Sequence, residues 1–199
     1  GLAIQGFGPT GSLLFTRFIT NGNLAETVLT TVDVGNGSKN IVVYAREFFK
    51  NSRGTAFKVF DSGGNLLLVK FVLNPDFTAF QVFGANTTNS IGGQEIVTGT
   101  GDGGIGAGPV DQGWNKNGNL LLSRFVLNPD FTEVTFSKID INNDGLDEIL
   151  VVGRETKGLQ RGPAFQLFDG GGNLLVAQFV LNSDFTNLKV FTVDQNGDG

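Results

Sequence analysis

One segment occurs four times in the chain, and this repetition limits the folds open to it more than any other feature. The run FVLNPDFT at residues 71–78 returns unchanged at residues 125–132 and as FVLNSDFT at residues 179–186. A weaker copy beginning at Phe18 starts the series, so the first phenylalanines of successive copies are 53, 54 and 54 residues apart. A fixed period of this length is typical of repeat architectures, in which each repeat packs against its neighbours.

Each period is predicted to contain four β-strands, here called a to d. In the fourth copy, residues 164–169 are predicted as strand a and residues 174–181 as strand b, with a glycine-rich turn between them. Residues 188–194 are predicted as strand c, and residues 148–155 of the third copy supply strand d. Runs such as LLVA and ILVV are apolar on both faces, so a sheet of these strands must be covered on both sides.

Four antiparallel strands per period, covered by neighbouring copies, predict an all-β fold, a β-propeller-like array of four-stranded blades. With a period of about 54 residues, blade one spans 1–53, blade two 54–107, blade three 108–161, and an incomplete blade four 162–199 without its last strand. Such an array has an open strand edge and an apolar face at its end. We therefore expect a longer polypeptide or another chain to cover both ends.

Aromatic side chains recur at the period and are predicted to be core residues. The phenylalanine that begins each copy is interpreted as packing between adjacent blades. The single tryptophan, Trp114, stands where the neighbouring copies have Phe60 and Phe168, and is predicted to lie in the core as well. A site that stacks on sugar rings favours exposed Trp or Tyr, and the chain has one of each.

Composition narrows the chemistry open to the chain. It has no histidine, cysteine or methionine, which excludes a Ser-His-Asp triad, a thiol nucleophile, a zinc finger and haem ligation by histidine. Any metal must be held by oxygen atoms, which favours a hard cation such as calcium. The 14 basic residues are scattered among 19 acidic ones, which argues against nucleic acid as a partner. No apolar run approaches the roughly 18 residues of a membrane span.

One loop, with the sequence DINNDGLDE, carries a metal-binding pattern. Oxygen side chains at its positions 1, 3 and 5 converge on one point, glycine at position 6 permits the sharp turn, and position 7 offers a backbone carbonyl. An acidic residue at position 9 is predicted to close the site, because the twelfth position used by an EF-hand falls on a valine in strand d. An Asx-rich turn without metal is the alternative interpretation. The predicted ligands are Asp140, Asn142, Asp144, the carbonyl of Leu146, and Glu148, with Asp147 as a less favoured ligand.

The corresponding loops of the other copies are incomplete. In the fourth copy, Asp194, Asn196 and Asp198 supply positions 1, 3 and 5, but the sequence stops before a ninth position. The first copy, at residues 33–40, places a lysine where it opposes a cation, and the second, at residues 86–95, is nearly uncharged. The sequence therefore predicts one complete Ca²⁺ site, one half site, and metal-free turns in the first two copies.

These features resemble the FG-GAP, or VCBS-like, repeats of integrin-α-type propellers and of many exported bacterial proteins. The resemblance rests on the loop at residues 140–148, the strand ILVVG at residues 149–153, and the run GPAFQLFD at residues 162–169. In that family the loop binds Ca²⁺ between the last two strands of a blade. The resemblance therefore implies the same acidic and amide ligands in the third copy, and their counterparts in the fourth.

The leading functional hypothesis is a non-enzymatic, calcium-stabilised extracellular module, secreted or on the cell surface, for adhesion, surface coating or filament assembly. Its expected partners are further blades of the same polypeptide, other copies of the chain in a homo-oligomer or filament, a cell-surface protein, or a glycan. A glycan-binding propeller is the alternative. A polysaccharide lyase or hydrolase ranks third, because the paired carboxylates at residues 147–148 are accounted for by the metal loop.

Overall fold

A computed structural model describes residues 3–18, 24–35, 37–47, 55–73, 78–88, 93–101, 108–156, 162–180, 184, 189–190 and 193. All helices and strands assigned in these residues are β-strands, so the predicted all-β class is confirmed. None of the described residues belongs to a helix that could cross a membrane. The strands are β1 (Ala3–Phe7), β2 (Leu13–Phe18), β3 (Leu24–Asp33), β4 (Lys39–Glu47), β5 (Thr55–Phe60), β6 (Leu66–Leu73), β7 (Thr78–Ala85), β8 (Glu95–Gly101), β9 (Val110–Trp114), β10 (Leu120–Phe125), β11 (Phe131–Ile139), β12 (Glu148–Glu155), β13 (Gly162–Phe168) and β14 (Leu174–Phe179).

The strands form a hairpin and three four-stranded antiparallel sheets. The hairpin is β1-β2, sheet 1 is β3-β4-β5-β6, sheet 2 is β7-β8-β9-β10, and sheet 3 is β11-β12-β13-β14. Each sheet therefore joins strands c and d of one period to strands a and b of the next. Equivalent pairs lie opposite each other where strand d meets strand a: Ile41 and Phe60, Ile96 and Trp114, Ile149 and Phe168.

The sheets pack face to face in chain order. Sheets 1 and 2 share a core that contains Tyr44, Phe57 and Trp114, with the Phe57 and Trp114 rings edge to face at a centroid distance of 5.6 Å. Sheets 2 and 3 share a second core, which includes Val97 and Phe136. The prediction that Trp114 is a core residue is confirmed. Successive sheets do pack on each other, but the expected cover on both faces is not complete, since Leu174, Leu175 and Val176 of β14 are exposed.

The predicted β-propeller is wrong. Within the described ranges, no sheet closes or curls into a ring, and the sheets form an open series in which each contacts the next. Strands that are apolar on both faces require covering layers, and a linear stack of sheets supplies them as well as a ring does. The length of the period carries no information about the rotation between successive sheets, which decides whether a ring closes.

The phenylalanines that begin the copies do not all lie in the core, contrary to the sequence-based prediction. Phe18, Phe71 and Phe125 are 76%, 49% and 61% exposed. They end or nearly end strand b, which is an edge strand in every sheet. Only the fourth copy fits the expectation, since Phe179 packs on the core of sheet 3 with its ring 6.0 Å from that of Phe131.

Candidate functional site

The loop between β11 and β12 folds around its own acidic side chains. The carboxylate of Asp140 accepts hydrogen bonds from the backbone N–H of Asp144 at 3.1 Å and of Gly145 at 2.9 Å. The carboxylate of Asp144 accepts from the backbone N–H of Leu146 at 2.8 Å and from the side-chain amide of Asn142 at 3.0 Å. Side chains at positions 1, 3 and 5 of the predicted site thus lie within one tight loop.

Two residues of this loop have left-handed backbone conformations. Asn143 has a φ of 55° and Gly145 a φ of 83°, values that glycine adopts freely and asparagine tolerates. No atom lies within 4 Å of a Cβ built on Gly145. The requirement for glycine at this position therefore comes from the positive φ alone. The sharp turn expected at position 6 is present.

Glu148 closes the loop from the first position of β12. Its side chain is buried, and its Oε2 accepts a hydrogen bond from the backbone N–H of Ile141 at 2.9 Å. Glu95, at the equivalent place in sheet 2, is also buried and accepts from the backbone N–H of Thr87 at 2.9 Å and the hydroxyl of Thr88 at 2.6 Å. Sequence reasoning assigned Glu148 to the metal alone and missed this role, although a glutamate at both positions was a visible signal.

In sheets 2 and 3, the residue before strand d is hydrogen-bonded to the preceding sheet. Asp147 donates its backbone N–H to the carbonyl of Asn86 at 2.6 Å, and its Oδ2 accepts from the Asn86 N–H at 2.7 Å and from Lys138 at 2.9 Å. One period earlier, Gln94 donates its N–H to the carbonyl of Asp33 at 2.7 Å, and its Oε1 accepts from the Asp33 N–H at 3.3 Å. Asp147 therefore belongs to a junction between sheets that repeats with the sequence.

The same junction reaches into the candidate metal loop. The side-chain amide of Asn86, in sheet 2, donates a hydrogen bond to the carbonyl of Gly145 in sheet 3. The loop is thus held at both ends: by Glu148 within its own sheet and by Asn86 from the neighbouring sheet. A ligand that changes the loop also acts on the junction between sheets 2 and 3.

The metal ligands that this loop offers are all carboxylate, amide or carbonyl oxygens, which are the atoms that a hard cation prefers. In the described part of the chain, however, no three Asp, Glu, His or Cys side chains are grouped closely enough to hold one metal ion. The loop conformation instead directs its carboxylates at backbone N–H groups. The half site predicted in the last copy lies outside the described residues: Asp194, Asn196 and Asp198.

A groove lies between β3, β7 and β11, on the side of the loop where Asn86 contacts it. It has a volume of about 710 Å³, and its lining includes Thr30, Asp33, Lys39, Gln94 and Lys138. Hydroxyl, amide and charged groups of both signs meet there. Apolar surface, including that of Phe83, contributes to the lining as well, so the groove offers both hydrogen bonds and apolar contact to a ligand.

A second buried carboxylate of sheet 2, that of Asp111, is paired with an arginine. Asp111 accepts two hydrogen bonds from Arg124, at 2.7 and 2.8 Å, and the Arg124 guanidinium lies 3.9 Å from the ring centroid of Phe168 in sheet 3. Burial raises the pKa of the Asp111 carboxyl, while the hydrogen bonds and charge of Arg124 oppose that rise. The pair joins strands a and b and connects sheet 2 to sheet 3.

Comparison with known proteins gives distant similarity to solved structures. No family model matches the chain, and no curated protein does, so the resemblance to FG-GAP repeats stays a prediction. Among solved structures, the chain is similar to the V. cholerae biofilm matrix protein Bap1, with 12% sequence identity and a TM-score of 0.35. The match covers 79% of this chain and 28% of Bap1, so the chain spans less than a third of that protein.

Proposed function

We propose that the chain is a non-enzymatic, calcium-stabilised repeat module of an extracellular structural or adhesive protein. The observation that carries the proposal is the position of the β11–β12 loop at the junction of two sheets. Its oxygen donors come from Asp140, Asn142 and Asp144, and its backbone is bonded to Asn86 of the preceding sheet. A cation bound by this loop would stabilise the β11–β12 turn and also the contact between sheets 2 and 3.

The carboxylates of the described residues support a structural role over a catalytic one. Asp111 pairs with Arg124, and Glu95 and Glu148 each accept a backbone N–H of their own loop. A glycoside hydrolase needs two carboxyl groups facing each other across a substrate cleft. The buried carboxylates of Asp111, Glu95 and Glu148 instead hold loops and strands together.

Calorimetric titration with Ca²⁺ tests the metal site. We expect a dissociation constant of about 10⁻⁴ to 10⁻³ M, the range of extracellular calcium modules. Asp140→Ala and Asp144→Ala should each weaken binding by at least about tenfold, because each removes a charged ligand. Asp33→Ala, in the equivalent loop of the first copy, is the matched control and should bind as the unmodified protein does. Unchanged binding in the Asp140→Ala and Asp144→Ala variants would refute the assignment.

Glycan binding is a second candidate function, supported by the groove between β3, β7 and β11 and its hydroxyl, amide and charged groups. The aromatic residues suited to sugar stacking, Trp114 and Tyr44, are both buried, so recognition would depend on hydrogen bonds from groups such as Thr30 and Lys39. We expect oligosaccharide binding to be lost in Lys39→Met if the groove is the site. Binding that survives this change, or no binding in an oligosaccharide panel, rules the groove out.

A further inference from the structure

Strand b carries most of the large apolar side chains that are exposed in the described part of the chain. Its first two residues are leucines in every copy, at 13–14, 66–67, 120–121 and 174–175, and each of these leucines is 48–65% exposed. Phe18, Phe71 and Phe125, near the ends of the same strands, are 49–76% exposed. We call these leucine pairs and phenylalanines the b strip. Large exposed apolar surface on a folded protein marks an interaction site.

The exposure of the b strip is a property of the repeat. Strands β6 and β10 belong to sheets 1 and 2, each of which has a neighbouring layer before and after it in the stack. Their leucine pairs are as exposed as those of β2 and β14. The b strip therefore does not depend on where the sequence begins or ends.

Strand b is also the open edge of each sheet. Strands β6, β10 and β14 are outermost in their sheets, and within the described residues no further strand pairs with them. The opposite edges of sheets 2 and 3 are bonded to each other: Gln81 of β7 donates to the carbonyl of Val134 at 2.9 Å and accepts from the N–H of Phe136 at 2.9 Å. The b edges therefore present unpaired backbone N–H and C=O groups beside exposed leucines.

The basic residue of strand b is engaged within the stack and leaves this edge open. Arg17 donates a hydrogen bond to a backbone carbonyl of the β5–β6 turn at 3.0 Å, and Arg124 pairs with Asp111 at 2.7 Å. The residues one position earlier, Thr16 and Ser123, are exposed and uncharged. Two copies of the strand can therefore lie side by side without the like-charge contacts that oppose cross-strand pairing.

The parts of the b strip in successive layers adjoin one another. The β9–β10 turn packs on Leu68 of β6, and the β5–β6 turn packs on Phe15 of β2, so each leucine pair follows a turn that contacts the preceding strand b. Side chains exposed to this degree offer roughly 80 Å² each, or about 900 Å² for the whole strip. This area matches the roughly 800 Å² per partner of a standard protein–protein interface.

We propose that the b strip is a lateral association surface for a second copy of this chain, in which β6 of one copy pairs antiparallel with β6 of the other across a two-fold axis. A second copy is the occupant because it presents leucine pairs with the same spacing between layers, whereas a partner without this repeat matches one layer only. The surface gives the structural module proposed above a partner. It does not include the β11–β12 loop, so association in EDTA distinguishes this proposal from the calcium site.

Sedimentation equilibrium of the full chain, in Ca²⁺ and in EDTA, tests the association. We expect a reversible dimer in both solutions. Leu67→Lys and Leu121→Lys should each weaken dimerisation by at least about tenfold, because each places a charge in the apolar strip. Leu29→Lys is the matched control, since Leu29 is 55% exposed but lies on β3, at the opposite edge of sheet 1. It should dimerise as the unmodified protein does.

Single cysteines test the strand pairing, because the chain has no native cysteine. Antiparallel pairing of β6 with its own copy places one residue directly opposite itself, with Cα atoms about 4.5–5.5 Å apart, a separation that a disulfide bond bridges. Cysteine is placed in turn at each of residues 67–71, and the protein is kept in a glutathione redox buffer. We expect one position to form the linked dimer at least about tenfold faster than the positions two residues away from it.

Four results would overturn the proposal. The first is a chain that stays monomeric at about 1 mM, where even a weak interface associates. The second is a dimer that forms in Ca²⁺ but not in EDTA. The third is equal dimerisation of the Leu67→Lys, Leu121→Lys and Leu29→Lys variants, with circular dichroism spectra that match the unmodified protein. The fourth is equal crosslinking at all positions from 67 to 71, which would show contact without strand pairing.

Discussion

The turns between strands a and b show how single residues repeat a structural role. Asp61 and Asp169 each accept hydrogen bonds from the backbone and side chain of the asparagine four residues later. Asn115 replaces the acid in the turn between, and its Oδ1 accepts from the backbone N–H of Asn119 at 2.9 Å. The hydrogen bonds from Asn173 hold the pKa of the Asp169 carboxyl below its usual range. An acid and an amide thus serve the same turn with different pH dependence.

This difference predicts opposite effects of two exchanges on stability in acid. The folded-state pKa of Asp169 is lowered, so its contribution is present above the unfolded pKa of about 3.9 and is lost as pH falls through the folded-state value. Asp169→Asn should make the unfolding midpoint less sensitive to pH below that point, and Asn115→Asp should make it more sensitive. Thermal unfolding followed across the acid range measures both; parallel curves for the three proteins would contradict the assignment.

Single residues of the candidate site were predictable to different degrees. The need for glycine at position 6 of the loop follows from local chain geometry, and Gly145 has the expected positive φ. The hydrogen bond from Ile141 to Glu148 was not predictable, because it depends on how the loop folds back onto the start of β12. Local rules give the turn, whereas the partner of a buried carboxylate depends on tertiary structure.

At the scale of elements, the a–b turns of sheets 1, 2 and 3 each pack on strand b of the preceding layer. A Cβ built on Gly118, in the β9–β10 turn, would lie 2.5 Å from Lys70 and 2.9 Å from Leu68 of β6. The equivalent Gly64 and Gly172 meet Phe15 and Leu122 in the same way. Glycine is required at these positions both because φ is positive and because the neighbouring sheet lies too close for a Cβ. The sequence alone predicted the positive φ but not the close approach.

Comparison of two glycine variants separates these contributions. Gly11 and Gly118 have φ of 81° and 71°, but nothing lies within 4 Å of a Cβ on Gly11. Gly11→Ala should therefore cost only the backbone strain, about 1 kcal/mol. Gly118→Ala should cost about 1–3 kcal/mol more, because the methyl group overlaps Leu68. Chemical denaturation measures both values, and equal losses would show that the contact between sheets contributes nothing.

The junction between sheets 2 and 3 predicts unequal effects at the two ends of one ion pair. Asp147→Ala should lower the free energy of unfolding by about 1–3 kcal/mol, since it leaves the Asn86 N–H without its acceptor. Lys138→Met should lower it by less than about 1 kcal/mol, because that lysine is solvent-exposed and its pair with Asp147 is screened. Denaturant unfolding of both variants compares them. Equal losses would show that the ion pair, and not the bond to Asn86, stabilises the junction.

Strand positions were more predictable than strand partners. The strand predicted at residues 148–155 is β12, with the same bounds, and the strands predicted at 164–169 and 174–181 correspond to β13 and β14. Of the strand predicted at 188–194, only residues 189–190 and 193 are described, and they belong to no strand. Apolar runs and turn residues set the positions, but whether strand a pairs with strand d of its own or of the preceding period depends on contacts distant in sequence.

At the scale of the whole molecule, the period and the two-sided apolar strands gave the correct class, the antiparallel four-stranded sheets and the covering of one sheet by the next. They did not give the arrangement of the stack. A ring and an open series bury the same faces of the same strands, and they differ only in the rotation from one sheet to the next. The pattern of hydrophobic residues therefore does not predict whether the sheets close into a ring.

Thermal unfolding in saturating Ca²⁺ and in EDTA tests the central claim most directly. A cation at about 100 times its dissociation constant that binds only the folded state contributes about 2.7 kcal/mol, which for a chain of this size raises the midpoint by about 5–10 °C. The account predicts this shift for the unmodified protein and for Asp33→Ala, and its loss in Asp140→Ala. An identical midpoint in Ca²⁺ and EDTA, or an equal shift in Asp140→Ala, would contradict the claim that calcium stabilises this repeat.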